Sequence, residues 1–161
     1  MSIAQSLENI GFLTRFAESV LAYPIVLSIH LTDIALFGGM ILMTNLRLLG
    51  LTFNGVSITQ MVTTLRPWKR LGGAVQIGTG LLLAASEATK YAPNPYFWTK
   101  MIVLALIGVH AIVFRPSVYN NTEELDRSRV IPAKVKTAAI LSLVLWTAMF
   151  VMGRMIAYWE S

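Results

Sequence analysis

Four apolar segments, each long enough to cross a lipid bilayer, dominate this sequence of 161 residues. A membrane-spanning helix needs about 20 predominantly apolar residues, and the segments that meet this requirement are 23–49, 68–90, 97–118 and 136–158. Hydrophobic residues make up 55% of the chain and charged residues only 13%, which is outside the usual range of soluble domains. The sequence therefore predicts an all-α fold, a polytopic membrane four-helix bundle.

The first 20 residues follow a different pattern. Their apolar residues recur at helical spacing with charged residues among them, at Ile3, Leu7, Ile10, Leu13, Phe16 and Val20. This pattern predicts an amphipathic helix over 3–20 that lies in the membrane interface. A cleaved signal peptide would begin with a basic region followed by a continuous apolar run, and this stretch has neither. Because the linkers are short, we expect 1–161 to form a single membrane domain.

Lysine and arginine are distributed unevenly around the apolar segments. Nine of the 13 belong to the connections after the first and third segments, namely Arg47, Arg66, Lys69, Arg70, Arg115, Arg127, Arg129, Lys134 and Lys136. The other four are Arg15, Lys90, Lys100 and Arg154. The positive-inside rule then predicts a bacterial inner-membrane protein with both termini on the periplasmic side. Because the basic residues occupy gaps between apolar runs, the net charge of +5 does not predict a nucleic-acid partner.

Two ionisable residues, His30 and Asp33, interrupt the first apolar segment in the stretch "VLSIHLTDIALFGGMILM". At positions i and i+3 they share one helical face, about 10 Å or more inside the segment. An ionisable group at such depth costs at least about 2 to 3 kcal/mol, so it normally faces the bundle interior and has a function. One interpretation is a polar pair that satisfies its own hydrogen bonds or contacts a neighbouring helix. The other is a ligand histidine that is oriented or tuned by the nearby carboxylate, with Asp33 as the group that would take up a proton coupled to electron transfer.

A second membrane histidine, His110, lies in the third segment. Two histidines on different helices suggest axial ligation of heme b, and the absence of cysteine excludes thiolate metal sites and covalently attached c-type heme. His110 lies about 20 Å from the outer boundary and is thus about 10 Å deeper than His30. His110 is therefore predicted either as the second ligand of one heme or as the ligand of a separate site.

Further polar and sulfur-containing side chains lie in the predicted membrane segments. Lys100 and Arg154 are expected to reach the headgroups or to pair with heme propionates. Met152 and Met155 are predicted either to pack or to serve as alternative heme or Cu(I) ligands. Gln76 and Glu87, both in the second segment, are candidates for proton or substrate handling.

The second segment also contains a run of small residues, "RLGGAVQIGTGLLLAAS". Small residues are enriched where membrane helices approach one another closely. The run therefore predicts either close helix packing or a surface for a flat ring such as a porphyrin or quinone.

The stretch "SIHLTDIALFGGMILMTNLRLLG" resembles the first helix of a group of four-helix bacterial membrane proteins. These include the oxygen-independent protoporphyrinogen oxidase and the membrane domain of copper-resistance proteins, both distantly similar to this chain. The third segment, "FWTKMIVLALIGVH", is similar to the same oxidase in its tryptophan, lysine and later histidine. Over nearly the whole chain, "NLRLLGL", "PW" and "NPYFWTK" resemble a bacterial membrane family of unknown function. The resemblance to the oxidase implies heme-related roles for His30 and Lys100.

Together these features predict a heme b protein that transfers electrons between a membrane quinone and a partner at the outer face. Two alternatives stay open. A copper-handling protein would use His30 with the methionines, and a structural subunit of a larger membrane complex would bind no cofactor. In each case the chain is expected to form a homo-oligomer or to join such a complex.

Overall fold

The computed structural model of the chain describes residues 2–128 and 130–159, and within these ranges all regular secondary structure is helical. The all-α prediction is thus confirmed. Three helices are long and apolar enough to cross a membrane: α3 (Ala22–Leu49), α6 (Pro95–Phe114, continued by a π-helical turn at Arg115–Tyr119) and α8 (Ala133–Tyr158). By length and composition these helices indicate a membrane-embedded protein.

A fourth long helix, α4 (Ile58–Ser86), contains most of the predicted second segment but has different bounds from the expected 68–90. It begins ten residues earlier, where the Ser57 hydroxyl accepts a hydrogen bond from the backbone of Gln60. Pro67 lies inside the helix rather than at its start. Charged residues in its first half make α4 less apolar than the other three long helices, which alone meet the hydropathy requirement for a membrane span.

The N-terminal segment forms two short helices instead of one continuous helix over 3–20. Helix α1 (Ile3–Glu8) and helix α2 (Gly11–Ala17) are separated by a break at residues 9 and 10. Both pack against α4, and α1 also contacts the short helix α5 (Ala88–Tyr91). The Glu8 carboxylate accepts a hydrogen bond of 2.8 Å from the backbone of Thr89. This segment therefore folds onto the end of the bundle where α3 begins, which we call the α1 end.

The long helices are packed in the spatial order α4, α3, α8, α6, with each neighbour antiparallel to the next. Asn45 of α3 contacts Ser142 of α8, and Asn94, before α6, contacts Ile156 of α8. In contrast, α4 and α6 are not closely packed against each other. The bundle is therefore least closed along its α4–α6 side.

A core of buried apolar residues closes the opposite end of the bundle, where α3 ends and α8 begins. Helix α7 (Thr122–Arg127) lies there, and we call it the α7 end. The core consists of Leu48, Ile58, Val62, Val118, Leu125, Val135, Ala138 and Ala139. Both connections rich in lysine and arginine lie at this end, so that most positive charge is on one side of the molecule.

Glycines on α4 allow α3 to approach closely. A Cβ atom added at Gly72 would lie 3.2 Å from atoms of Asp33 and Phe37, and one at Gly80 would lie 3.2 Å from Cε1 of His30. At Gly78 nothing lies within 4 Å of the added atom. Two glycines of the small-residue run thus serve helix packing, while Gly78 faces open space.

Removal of the Asp126 carboxylate is expected to destabilise the start of α4. Oδ1 of Asp126 accepts a hydrogen bond of 2.6 Å from the backbone of Ile58, and Oδ2 accepts one of 2.9 Å from Thr59. We expect Asp126→Ala to lower the free energy of unfolding by about 1 kcal/mol, the usual effect of losing a helix cap. Thermal unfolding in a mild detergent, followed by circular dichroism, measures this loss at pH 7.

The effect should depend on pH because the Asp126 carboxylate is stabilised in the folded state. Burial by itself would raise the pKa of Asp126, but hydrogen bonds from Thr59 and Ile58 and the charge of Arg47 outweigh it, and the pKa is lowered. The stabilisation that the Asp126 carboxylate provides is therefore complete above the ordinary aspartate pKa of about 3.9. It is lost as the pH falls through the lower pKa of Asp126 in the folded protein. A difference between wild type and variant that grows below pH 4 would contradict this assignment.

Candidate functional site

The imidazole of His30 is buried between α3 and α4. It is 8% exposed, and both ring nitrogens have polar neighbours on α4. Nδ1 lies 2.7 Å from Oγ1 of Thr79, and Nε2 lies 2.8 Å from the side-chain nitrogen of Gln76. His30 thus contacts a neighbouring helix, as one of the two interpretations of the sequence expected.

The neighbours of His30 define which nitrogen bears the proton. The hydroxyl of Thr79 donates to the carbonyl of Val75 at 2.7 Å, so its oxygen is left to accept from Nδ1–H of His30. With the proton on Nδ1, Nε2 offers a lone pair to the side-chain nitrogen of Gln76 at 2.8 Å, and that nitrogen lies 3.2 Å from Nδ1. We infer a neutral imidazole with its proton on Nδ1. This is the tautomer in which Nε2 can bind a metal while a second group fixes the ring orientation.

Asp33 lies close to His30 along α3 but does not share its hydrogen bonds. The described hydrogen bonds of His30 go to Thr79 and Gln76, and Oδ2 of Asp33 is buried without a hydrogen-bond partner among the described residues. Asp33 also lines a groove of about 540 Å³ on the outer surface of α3. A role of Asp33 toward His30 would therefore act through the field of its charge or through a proton rather than by direct contact.

The two basic candidates have different surroundings. Lys100 is half-buried, and its positive charge acts on the imidazole of His30. Its Nζ lies near Gly153 of α8, 3.9 Å from the position of an added Cβ. Arg154 is exposed and donates to the hydroxyl of Tyr158 at 2.7 Å on its own helix. The structure therefore brings Lys100, but not Arg154, toward the His30 side chain.

Glu87 lies where α4 ends, away from the imidazole of His30. It forms an ion pair of 3.2 Å with Lys90. Burial, followed by the negative charge of Glu87, raises the pKa of Tyr91 above its ordinary value. Glu87 thus belongs to a polar group at the α1 end, whereas Gln76 is in direct contact with His30.

His110 lies near the opposite end of the bundle from His30. Its Nε2 donates to the carbonyl of Ala138 at 2.9 Å. Since Asn45 contacts Ser142 on the antiparallel α8, Ala138 is level with the end of α3 near Leu49. From residue 30 to residue 49 a helix rises about 28 Å. The structure does not bring the two histidines together, so of the two predicted roles only a separate site is compatible with the position of His110.

Met152 and Met155 are both half-buried on α8, about one helical turn apart. Among the described residues, no group of three or more His, Asp or Glu side chains is arranged to hold a metal ion. The role of the two methionines as alternative ligands stays a prediction.

Sequence reasoning missed two parts of this arrangement. Thr79 was not identified, because a threonine in an apolar helix most often bonds to its own backbone, and only the packing of α3 on α4 turns it toward His30. Arg66, Lys69, Arg70 and Arg115 were interpreted as topology signals, yet they line a common cavity. The spacing of Arg66, Lys69 and Arg70 along α4 is a signal that these three share a face, whereas nothing in the sequence indicates that Arg115 joins them.

A family profile described as "Family of unknown function (DUF6644)" matches residues 6–159. No curated protein and no solved structure gave a significant match.

Proposed function

The chain belongs to the family of unknown function DUF6644, and we propose from its own residues that it is a membrane protein that binds heme b and transfers electrons. The observation that carries this proposal is the imidazole of His30. It is buried among apolar helices, its proton is held on Nδ1 by Thr79, and its Nε2 lone pair faces only the side-chain amide of Gln76. A neutral imidazole with one nitrogen anchored and the other available is the form that binds heme iron.

The membrane arrangement that we propose is a four-helix bundle in the bacterial inner membrane, with α4 as the fourth span. Three observations support it. Helix α4 has 29 residues, more than a span requires. Its basic residues Arg66 and Lys69 line the interior of the bundle, which explains its lower hydropathy. Since the lysine- and arginine-rich connections share the α7 end, that end would be cytoplasmic and both termini periplasmic.

The residues around His30 fit a heme ligand with one adjustment. The Gln76 side chain would have to move from Nε2, which its flexible stem allows. Lys100 would supply a positive charge for a propionate, and Arg154 could do the same only after leaving Tyr158. Heme b, when bound, supplies one-electron chemistry. The role of the protein is to hold the imidazole of His30 in one orientation and to exclude water from it.

Asp33 is the residue that we propose for proton handling. Its Oδ2 is buried without a hydrogen-bond partner among the described residues, and a carboxylate in such surroundings gains stability by taking up a proton. A lipid-soluble quinone would be the electron partner on the membrane side, because the α4–α6 side of the bundle is the least closed. We propose likewise that a redox partner binds at the outer face. The chain would work as a homo-oligomer or as a subunit of a larger membrane complex.

Absorption spectroscopy tests the proposal directly. The protein purified in mild detergent, with heme supplied during expression, would be recorded oxidised and then reduced with dithionite. We expect a Soret band that sharpens with distinct α and β bands on reduction. A preparation with no Soret band after growth with excess heme precursor would overturn the proposal, and stoichiometric copper in it would favour the copper-handling alternative.

Thr79→Val should weaken heme binding without unfolding the protein. The variant has nearly the same shape but cannot accept the Nδ1 proton of His30, and loss of such an orienting partner typically costs about 10- to 100-fold in affinity. Heme titration of the apoprotein gives the affinity. Thr99→Val is the matched control, since Thr99 also bonds to the carbonyl four residues earlier but contacts no histidine. Equal losses in the two variants would contradict the orienting role of Thr79.

A further inference from the structure

A second candidate site extends from the middle of the bundle toward the α7 end. An open cavity of about 350 Å³ is lined by residues of all four long helices and of the π-helical turn. One side of it is apolar and aromatic, with Phe37, Leu145 and Trp146. The other side is strongly basic. The cavity is thus amphipathic.

Four cationic side chains line the cavity: Arg66, Lys69, Arg70 and Arg115. No aspartate or glutamate lines it, and the ion pair found among the described residues, Lys90 with Glu87, lies elsewhere. Arg66 donates to the carbonyl of Tyr119 at 2.7 Å, and Lys69 donates to the hydroxyl of Thr44 at 3.1 Å. Both bonds go to neutral acceptors, so neither charge is neutralised by the contacts that hold it.

A partly buried cation is costly unless an anion accompanies it. Lys69 is half-buried, and its neighbour Arg66 adds a like charge. The local repulsion and the lost hydration would both be relieved by an anion between them. Among the described residues that line the cavity none carries a carboxylate, which points to an anion supplied by a ligand.

A buried amide provides an independent sign of a missing ligand. Asn45 lines the cavity and is only 1% exposed. Its nitrogen donates to Ser142 at 2.9 Å, while Oδ1 has no partner among the described residues. A buried amide oxygen without a donor costs about 1 to 3 kcal/mol. A hydroxyl of a bound ligand, or a protonated phosphate oxygen, would satisfy it.

We propose that this cavity binds a phosphate group, and that Phe37, Leu145 and Trp146 contact the hydrocarbon part where the phosphate belongs to an amphiphile. Phosphate fits better than a single carboxylate because its several oxygens can meet arginine and lysine groups that surround them. The source of this phosphate is either the headgroup of a membrane lipid or a free phosphate. The site is separate from the heme proposal, since neither His30 nor its partners Thr79 and Gln76 are among the residues that line the cavity.

The test measures binding of dioctanoyl phosphatidic acid to the full chain by native mass spectrometry in a neutral detergent. Dioctanoylglycerol, with the same tails and no phosphate, is the matched ligand. We expect phosphatidic acid to bind at least about tenfold more tightly than dioctanoylglycerol. Lys69→Met should remove most of this preference, because loss of one hydrogen bond between charged groups lowers the affinity by about tenfold. Lys69→Arg should retain it. Lys136→Met also loses a lysine charge, but an exposed one near the start of α8 that does not line the cavity. It should have little effect on binding.

Inorganic phosphate then distinguishes the two sources. Displacement of the lipid by millimolar phosphate would identify a free phosphate as the ligand, and resistance to it would identify the lipid headgroup. Equal binding of the two dioctanoyl ligands, or equal losses in Lys69→Met and Lys136→Met, would overturn the proposal. His30→Ala should leave lipid binding unchanged, and Lys69→Met should leave heme content unchanged, so that the two proposals can fail independently.

Discussion

His30→Ala is expected to lower the heme b content of the purified protein by at least about tenfold. Loss of a group that merely orients a metal ligand costs about 10- to 100-fold in affinity, and this variant loses the ligand itself. The imidazole also fills a buried position with hydrogen bonds to Thr79 and Gln76, so some loss of stability is expected as well. The molar ratio of heme to protein, measured from the absorbance of the pyridine hemochrome, gives the result.

His110→Ala is the control for this experiment. It removes the other membrane histidine, which is also 8% exposed and also makes a hydrogen bond to a neighbouring helix. Circular dichroism would show that both variants stay helical. We expect His110→Ala to retain its heme. The reverse pattern, with heme lost from His110→Ala and kept by His30→Ala, would transfer the ligand role to His110 and refute our assignment.

Gly72→Leu is expected to separate α3 from α4 and to lower the free energy of unfolding by about 1 to 3 kcal/mol, the usual cost of overpacking. A Cβ at this position would already lie 3.2 Å from Cβ of Phe37 and from Oδ1 of Asp33. The rest of a leucine side chain would have no space. Titration with sodium dodecyl sulfate in mixed micelles, followed by circular dichroism, measures the change.

Gly78→Leu provides a matched control on the same helix. The same side chain is added to α4, but nothing lies within 4 Å of the new Cβ. Its effect should be small, because a leucine is also a better helix former than glycine. Similar destabilisation by both variants would mean that helix propensity or micelle contacts, and not the fit of α3 against Gly72, determine the result.

The long helices could be predicted closely where the apolar run is continuous. Helix α3 begins and ends within one residue of the predicted 23–49, because its apolar run continues on both sides of His30 and Asp33 and Gly50, at φ 74°, ends it. The start of α4 was missed by ten residues. Its first turns mix threonine, glutamine and arginine with apolar residues, and Pro67 resembles a helix start although it lies inside the helix.

The partners of the site residues could not be predicted from the sequence. Which side chains of α4 meet His30 depends on the register between two helices, and that register is set by close contacts at Gly72 and Gly80. A pattern along one helix contains no information about the register of another. The same holds for the basic cavity, where Arg115 meets Arg66 and Lys69 only because α6 and α4 face each other across it.

The weak contact between α4 and α6 has a consequence for how ligand affinity should be expressed. A molecule that enters between these helices comes sideways from the hydrocarbon layer, so its effective concentration is its mole fraction in the lipid or micelle rather than its molarity in water. Adding detergent dilutes such a ligand at constant total amount. Apparent dissociation constants for quinones or lipids should therefore rise in proportion to micelle concentration, whereas those of a water-soluble anion should not.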